Sequence, residues 1–252
     1  MSGLRGAALA LGVIAAILLL WMVNPWVAVP EGISQFVTIA FWIASIALLV
    51  VLYLEARQDP ESGEVEIEGP RFARFLFNNS RAGLFWLPIR LFVGFAWLEA
   101  GWHKFTDPEW TQGGAALRGY WERAAAIPEQ GRPPITYEWY RDFINTLLAG
   151  GHEGWFAWVI TLGEIAVGVG LILGILTGVA AFFGAFMNMS FLLAGSASTN
   201  PVLFTLAVGL MLAWKVAGYY GVDRYLLPRL GTPWRPGALF LRRQAGPGPA
   251  AT

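Results

Sequence analysis

Six apolar stretches dominate the hydropathy pattern, covering residues 4–23, 33–54, 84–104, 155–176, 177–194 and 201–220. Each is close to the roughly 20 residues that a membrane-crossing helix needs. Pro and Gly mark most of the breaks between them. The first stretch has a short basic start, "MSGLR", but its apolar run is longer than a usual signal-peptide core and ends in no clear A-x-A site. It reads as a retained helix. Residues 55–83 open with "EARQDPESGEVEIEG" and turn basic and aromatic in "RFARFLFNNSR". This pattern predicts a solvated linker followed by an amphipathic piece on the inner membrane face. In residues 105–154, "GGAALRGYWERAAA" and "TYEWYRDFINTLLAG" both show helical periodicity, separated by "IPEQGRPP". Their rings (Trp110, Tyr120, Trp121, Trp139 and Tyr140) fit helices lying over the outer mouth of a bundle, or simple interfacial anchors. The closing "QAGPGPAAT" is low in complexity and is expected to be disordered.

Composition agrees with a membrane protein. Of 252 residues 56% are hydrophobic and only 13% charged, about half the charged share of a soluble domain. The 13 Trp suit a chain with many membrane–water boundaries. Formal net charge is zero, so no overall field favours nucleic acid. The chain has no Cys, which excludes thiolate nucleophiles, disulfides and Cys-ligated zinc or iron–sulfur clusters. With His103 and His152 the only two imidazoles, a haem or metal site built on histidine is not expected. Lys and Arg divide unevenly between the loops. Arg5, Arg57, Arg71, Arg74, Arg81, Arg224, Arg229, Arg235, Arg242 and Arg243 fall on one side, against Lys104, Arg118, Arg123, Arg132 and Arg141 on the other. The positive-inside rule then predicts six spans with both termini cytoplasmic.

The third span departs from the apolar rule. "RLFVGFAWLEAGWHK" carries Arg90, Glu99, His103 and Lys104. Its nine Leu, Ile, Phe and Val residues between Leu84 and Leu98 favour insertion by roughly 4 kcal/mol, and Arg90 alone offsets most of that. The helix therefore needs its polar groups turned toward other helices or trapped water. At about 100° per residue, Arg90, Gly94, Gly101 and Lys104 share one face, while Glu99 and His103 lie nearly opposite. Small residues on the Arg90 face permit close packing, which places it toward the bundle centre. Glu164 lies near the middle of the fourth span, Asn188 in the fifth and Lys215 in the sixth. Counting at 1.5 Å per residue, Arg90 and Lys215 sit roughly 8–9 Å from the inner edge, with Glu164 some 8 Å above them. An Arg90–Glu164 pair is expected, with Asn188 and Lys215 nearby. Each group has a plainer reading as well. Lys215 snorkels, Asn188 bridges helices, His103 and Lys104 are solvated at the outer surface, and the pair is an inert register lock.

At these residues the chain resembles a known family. The spacing Arg90-x3-Gly94-x6-Gly101-x2-Lys104 is similar to the first conserved helix of the DoxX/DoxD-like membrane proteins. "GEIAVGVGLILGILT" resembles the second, with Glu164 at the acidic position. "GAFMNMSFLLAGSASTNP" and "AGYYGVDRYLL" resemble the third and fourth, with Asn188, Asn200, Asp223 and Arg224 in matching places. The resemblance covers roughly residues 84–230. It implies a four-helix bundle and, through the DoxD branch, the membrane subunit of a thiosulfate:quinone oxidoreductase.

The expected fold is therefore all-α: a polytopic membrane protein with a DoxX-like four-helix bundle and two additional N-terminal transmembrane helices. Residues 1–54 form those two helices, 55–83 a cytoplasmic linker, 84–230 the bundle with 105–154 as an extracytoplasmic cap, and 231–252 a cytoplasmic tail. The resemblance implies quinone-linked chemistry. Arg90 and Glu164 are the candidate catalytic groups, Arg90, Asn188 and Lys215 the quinone-binding groups, and Glu99, His103 and Lys104 an outer polar cluster. Quinone is the expected cofactor, and the lipid bilayer, the quinone pool and a partner subunit or exported redox protein are the expected partners. Two other function classes fit the same residues: a membrane scaffold for an exported redox protein, and a carrier of a small solute or protons.

Overall fold

The computed structural model describes residues 2–23, 31–58 and 70–231, and every regular element among them is helical. In chain order these are α1 (Ser2–Val23), α2 (Glu31–Gln58) and α3 (Arg71–Asn78), then a 3-10 turn at Ser80–Ala82 and α4 (Gly83–Thr106). The long insertion supplies α5 (Pro108–Thr111), α6 (Ala115–Ala125) and α7 (Glu138–Ala149). Next come α8 (Glu153–Leu173), α9 (Thr177–Leu193), α10 (Asn200–Leu212) and α11 (Asp223–Leu230). Most of the expected acidic linker and the whole "QAGPGPAAT" tail lie outside the described residues. Its first residues, 55–58, continue α2, as the good helix formers Glu, Ala, Arg and Gln allow.

The described residues fall into two compact units. One holds α1, α2 and residues 124–147; the other holds residues 70–123 and 148–231. The last stretch of the insertion, which includes most of α7, thus groups with the first two helices. In the first unit α1 and α2 pack against each other. α2 leaves Ile39, Trp42, Ile43, Ile46, Leu49 and Val50 exposed, an apolar surface that water would not tolerate and lipid would. Three helical segments are long and apolar enough to cross a membrane: Phe36–Leu54, Ser80–Thr106 and Glu153–Leu173. Three shorter apolar helices accompany them, at Gly6–Leu18, Thr177–Leu193 and Asn200–Leu212. The chain is an all-α membrane protein.

In the second unit α4 and α8 pack closely along their lengths, and glycine makes that approach possible. A Cβ on Gly168 would come within 2.6 Å of the Leu98 nitrogen, and one on Gly101 within 2.8 Å of the Ile165 nitrogen. Gly94 lies against Leu171 and Ile172 in the same way. These pairings run in opposite directions along the two chains, so the helices are antiparallel. α9 packs on α8 and α10, and α10 returns to α4. Trp86, Val93, Trp97, Val167, Leu171, Ala181 and Leu210 form the core between them.

Two spans end earlier than their hydropathy suggests. The fourth stops at Leu173, where Gly174 takes a left-handed conformation (φ +67°) and caps the helix. The sixth stops at Leu212 instead of running to residue 220, and turns follow. The Val222 and Asp223 amides donate there to the Leu173 and Gly174 carbonyls, at 3.1 and 2.8 Å. A side chain at Gly218 would strike the Asp223 carboxylate and Thr177. Apolar composition alone carries no trace of these tertiary backbone bonds.

Candidate functional site

Arg90 is held at one end of the α4–α8 pair, and it is almost wholly buried, at 1% exposure. One terminal nitrogen, Nη1, donates to the Leu171 and Ile172 carbonyls, and the other, Nη2, donates to the Tyr220 carbonyl at 3.1 Å. Both carbonyls lie in the last turn of α8, where that of Leu171 also accepts from the Gly174 amide and a cation meets the negative end of the helix dipole. Asp223 does the complementary job for α9. Its two oxygens accept from the Leu176 and Thr177 amides at 2.6 and 2.8 Å, filling the N-cap role that no neighbouring side chain takes. Leu176 itself sits at φ +46°, a conformation costing about 1–2 kcal/mol for a residue with a Cβ. Arg90 and Asp223 thus clamp the tight turn between α8 and α9 from two sides.

Glu164 lies far from this clamp. Its carboxylate, 1% exposed, accepts from Lys104 Nζ through both oxygens, at 3.0 and 2.7 Å. The register explains the partner. Gly101 touches the Cβ of Glu164, so Glu164 lies level with Gly101 and within one turn of Lys104. Arg90 is some 16 Å farther down α4 at 1.5 Å per residue. The expected Arg90–Glu164 pair does not form. The height count behind it took the fourth span to end at Leu176 and the third to begin at Leu84. The count set those two inner ends level, whereas Gly94 lies against Leu171 and Ile172, so Arg90 is level with the end of α8 and the first turns of α4 run past it.

The Lys104–Glu164 pair borders a cavity of about 670 Å³. Trp97, Trp110, Tyr120 and Phe191 supply aromatic wall, and Lys104 Nζ stands 5.1 Å from the Trp110 ring centroid. Glu99 and His103 also line it, so the two opposed polar faces of α4 reach one space near the helix end. The rim carries Ser196, Ser198, Thr199 and Asn200 from the α9–α10 connection, where Ser198 has φ +39° and Asn200 donates to the Ser196 carbonyl. α5 closes one side because Asp107 caps it and swings Trp110 back toward Lys104. α6 is tied to the start of α8 by Arg118, which reaches Glu153 at 3.0 Å, and by the Trp121–Phe156 ring contact. Burial pushes the Tyr120 phenol above its usual range, against the opposing pull of Ser196 and Arg123.

The membrane-spanning part of this unit, from α4 into the turn after α9, also matches a known family model: residues 85–196 align with DoxX. Over that stretch, less than half of the 252 residues, the chain is similar to DoxX. No curated protein and no solved structure matches the chain. The DoxX match begins within α4 and stops at Ser196, so it takes in Arg90, Lys104, Glu164 and Asn188 and leaves α10 outside.

In and just beyond the matched stretch the candidate residues separate into several places. Lys104, Glu164, Glu99 and His103 meet at the cavity. Arg90 belongs to the turn clamp. Lys215, just past the match, is neither with Arg90 nor with Asn188; it reaches toward Asn78 Oδ1 at 3.5 Å, and the chain around it has left the helix that would have pointed it inward. Asn188 is fully buried with neither amide atom partnered. Its position is one turn along α9 from Gly184, where a Cβ would lie 3.0 Å from the indole nitrogen of Trp97, itself unpartnered. Trp97, Trp110 and Tyr120 carry no charge and occur among many other aromatic residues, so no sequence signal separates them from membrane anchors. Asp223 stands 46 and 47 residues along the chain from the amides it caps, so no local sequence pattern marks it as the cap of that turn.

Proposed function

We propose that the DoxX-like region is the quinone-binding membrane subunit of an oxidoreductase of the thiosulfate:quinone type, and that the headgroup occupies the cavity beside Lys104 and Glu164. The observation that carries this reading is a buried ion pair facing an aromatic-walled space of about 670 Å³, within the range of small-ligand pockets. A quinone headgroup is a flat ring with a carbonyl oxygen at each end. Trp97, Trp110 and Phe191 offer surfaces for the ring, and Lys104 offers a charged donor for one oxygen. Reduction adds two electrons and two protons to the quinone. Lys104 stabilises negative charge developing on the oxygen it contacts, and Glu164 fixes the direction of that ammonium group. His103 and Glu99, more exposed on the same cavity, connect the pair to water for proton exchange. The electrons come from an exported reductant; thiosulfate fits, since two molecules joining through a sulfur–sulfur bond to give tetrathionate release two electrons.

In this reading the chain crosses the cell membrane six times with both termini in the cytoplasm, and the cavity faces the outer side. The test is quinol formation from a short-chain quinone in proteoliposomes holding the full chain, with thiosulfate as donor. Thiosulfate-dependent turnover that disappears in Lys104→Gln supports the proposal. Solute uptake without redox change would instead mark a carrier. Absence of both turnover and quinone binding would mark a scaffold for an exported redox protein.

A further inference from the structure

The end of the second unit that holds the Arg90 clamp carries cations used by neither the clamp nor the cavity. A second pocket, about 340 Å³, opens there between the end of α3, the 3-10 turn, the turns after α10, and α11. Lys215 and Arg224 both line it, with Asn78 and Ser80 as further polar groups. Arg224 is steadied between two rings, 5.2 Å from the Tyr219 centroid and 5.9 Å from that of Tyr225. Asp223 also borders the pocket, but both its oxygens are engaged by the α9 amides. Among the described residues neither Lys215 nor Arg224 pairs with a carboxylate. The pocket therefore presents two cations without a carboxylate partner, against the single negative charge of Asp223, together with neutral donors within one concave space.

The adjoining helix indicates which anion belongs there. α3, "RFARFLFN", has no buried residue, and leaves Phe72 73% and Phe75 47% exposed. Two free phenylalanines beside Arg71 and Arg74 make an interfacial helix that lies in lipid headgroups. Its last residue, Asn78, lines the pocket. With Arg71, Arg74, Arg81, Arg224 and Arg229 on it, this end is also the one the positive-inside rule assigns to the cytoplasm, whose leaflet carries anionic lipid.

We propose that this pocket binds the phosphate of an anionic phospholipid, with Lys215 and Arg224 on the phosphate oxygens and the apolar face of α3 against the acyl chains. The site is independent of the quinone reading. It is tested with the purified full chain in neutral detergent, by thermal unfolding after addition of phosphatidylglycerol, phosphatidylcholine or inorganic phosphate at equal concentration. Phosphatidylglycerol is expected to raise the midpoint by several degrees more than the other two. The Lys215→Gln/Arg224→Gln double variant should lose most of that excess while keeping its midpoint in phosphatidylcholine. Equal shifts from phosphatidylglycerol and phosphatidylcholine would overturn the proposal, as would an undiminished phosphatidylglycerol effect in the double variant. A shift from inorganic phosphate as large as that from phosphatidylglycerol would reject the lipid in favour of a soluble phosphate group. Native mass spectrometry of delipidated wild-type protein, offered both lipids together, gives a reading that needs no variant: selective retention of phosphatidylglycerol supports the site, and indifference contradicts it.

Discussion

Lys104 and Glu164 satisfy each other where neither is easily hydrated, and each is expensive to leave alone. Replacing Lys104 by Met strands a carboxylate that is 1% exposed, and the expected loss of stability is about 3–5 kcal/mol. Lys104→Met combined with Glu164→Gln should lose less than the two single changes together, because the second removes the charge that the first left unpaired. Arg90→Met combined with Glu164→Gln should instead be additive, since Arg90 serves the carbonyls of Leu171, Ile172 and Tyr220 and not this carboxylate. Unfolding midpoints in detergent measure both cycles. A coupling between Arg90 and Glu164 as large as that between Lys104 and Glu164 would contradict the assignment. The two cations differ in kind: Arg90 closes helix ends, whereas Lys104 leaves part of its surface open to a cavity.

At the scale of helices, register decides which charges meet, and glycines decide register. Gly168 has no room for a methyl group, since a Cβ would approach the Leu98 backbone to 2.6 Å. Gly168→Ala should therefore cost about 1–3 kcal/mol through forced separation of α4 and α8. Gly163→Ala, whose Cβ would meet only the Met187 sulfur at 3.5 Å, should cost nothing and serves as the matched control. Equal midpoints for the two variants would mean that close packing does not hold the register. Hydropathy made the helices themselves legible, and the 100° projection correctly put Gly94 and Gly101 with Arg90 on a buried face and left Glu99 and His103 exposed. The depth of Lys215 was not legible, since α10 stops at Leu212 and leaves it in the turns beyond. The offset between spans was not legible either, because it is set by which glycine meets which turn of the facing helix: Gly94 against Leu171 and Ile172, Gly101 against Ile165, and Gly168 against Leu98. Arg90 and Glu164 lie about 8 Å, roughly one and a half helical turns, farther apart than level inner ends would give, which is enough to make Lys104 the partner of Glu164.

For the whole molecule, the Lys/Arg distribution predicts that a reporter fused at residue 130 is active only outside the cytoplasm and one at the C-terminus only inside. Cytoplasmic activity at residue 130 would reverse the topology and place the cavity on the opposite side. The division of the described residues, with 124–147 joining α1 and α2, shows that the long insertion serves both units. α5 and α6 shape the cavity in the second unit, and most of α7 belongs with the first two helices. The proposed redox function rests on the cavity beside Lys104 and Glu164 taking a quinone. Trp97 and Trp110 line that cavity, so a bound quinone should quench their fluorescence. Titration of the purified full chain with a short-chain quinone is predicted to give saturable quenching, weakened at least about tenfold in Lys104→Gln/Glu164→Gln by loss of roughly 1.4 kcal/mol of binding. Lys215→Gln should bind as the wild type does. Equal saturable binding by the wild type and the folded Lys104/Glu164 double variant, or no saturable binding at all, would contradict the account.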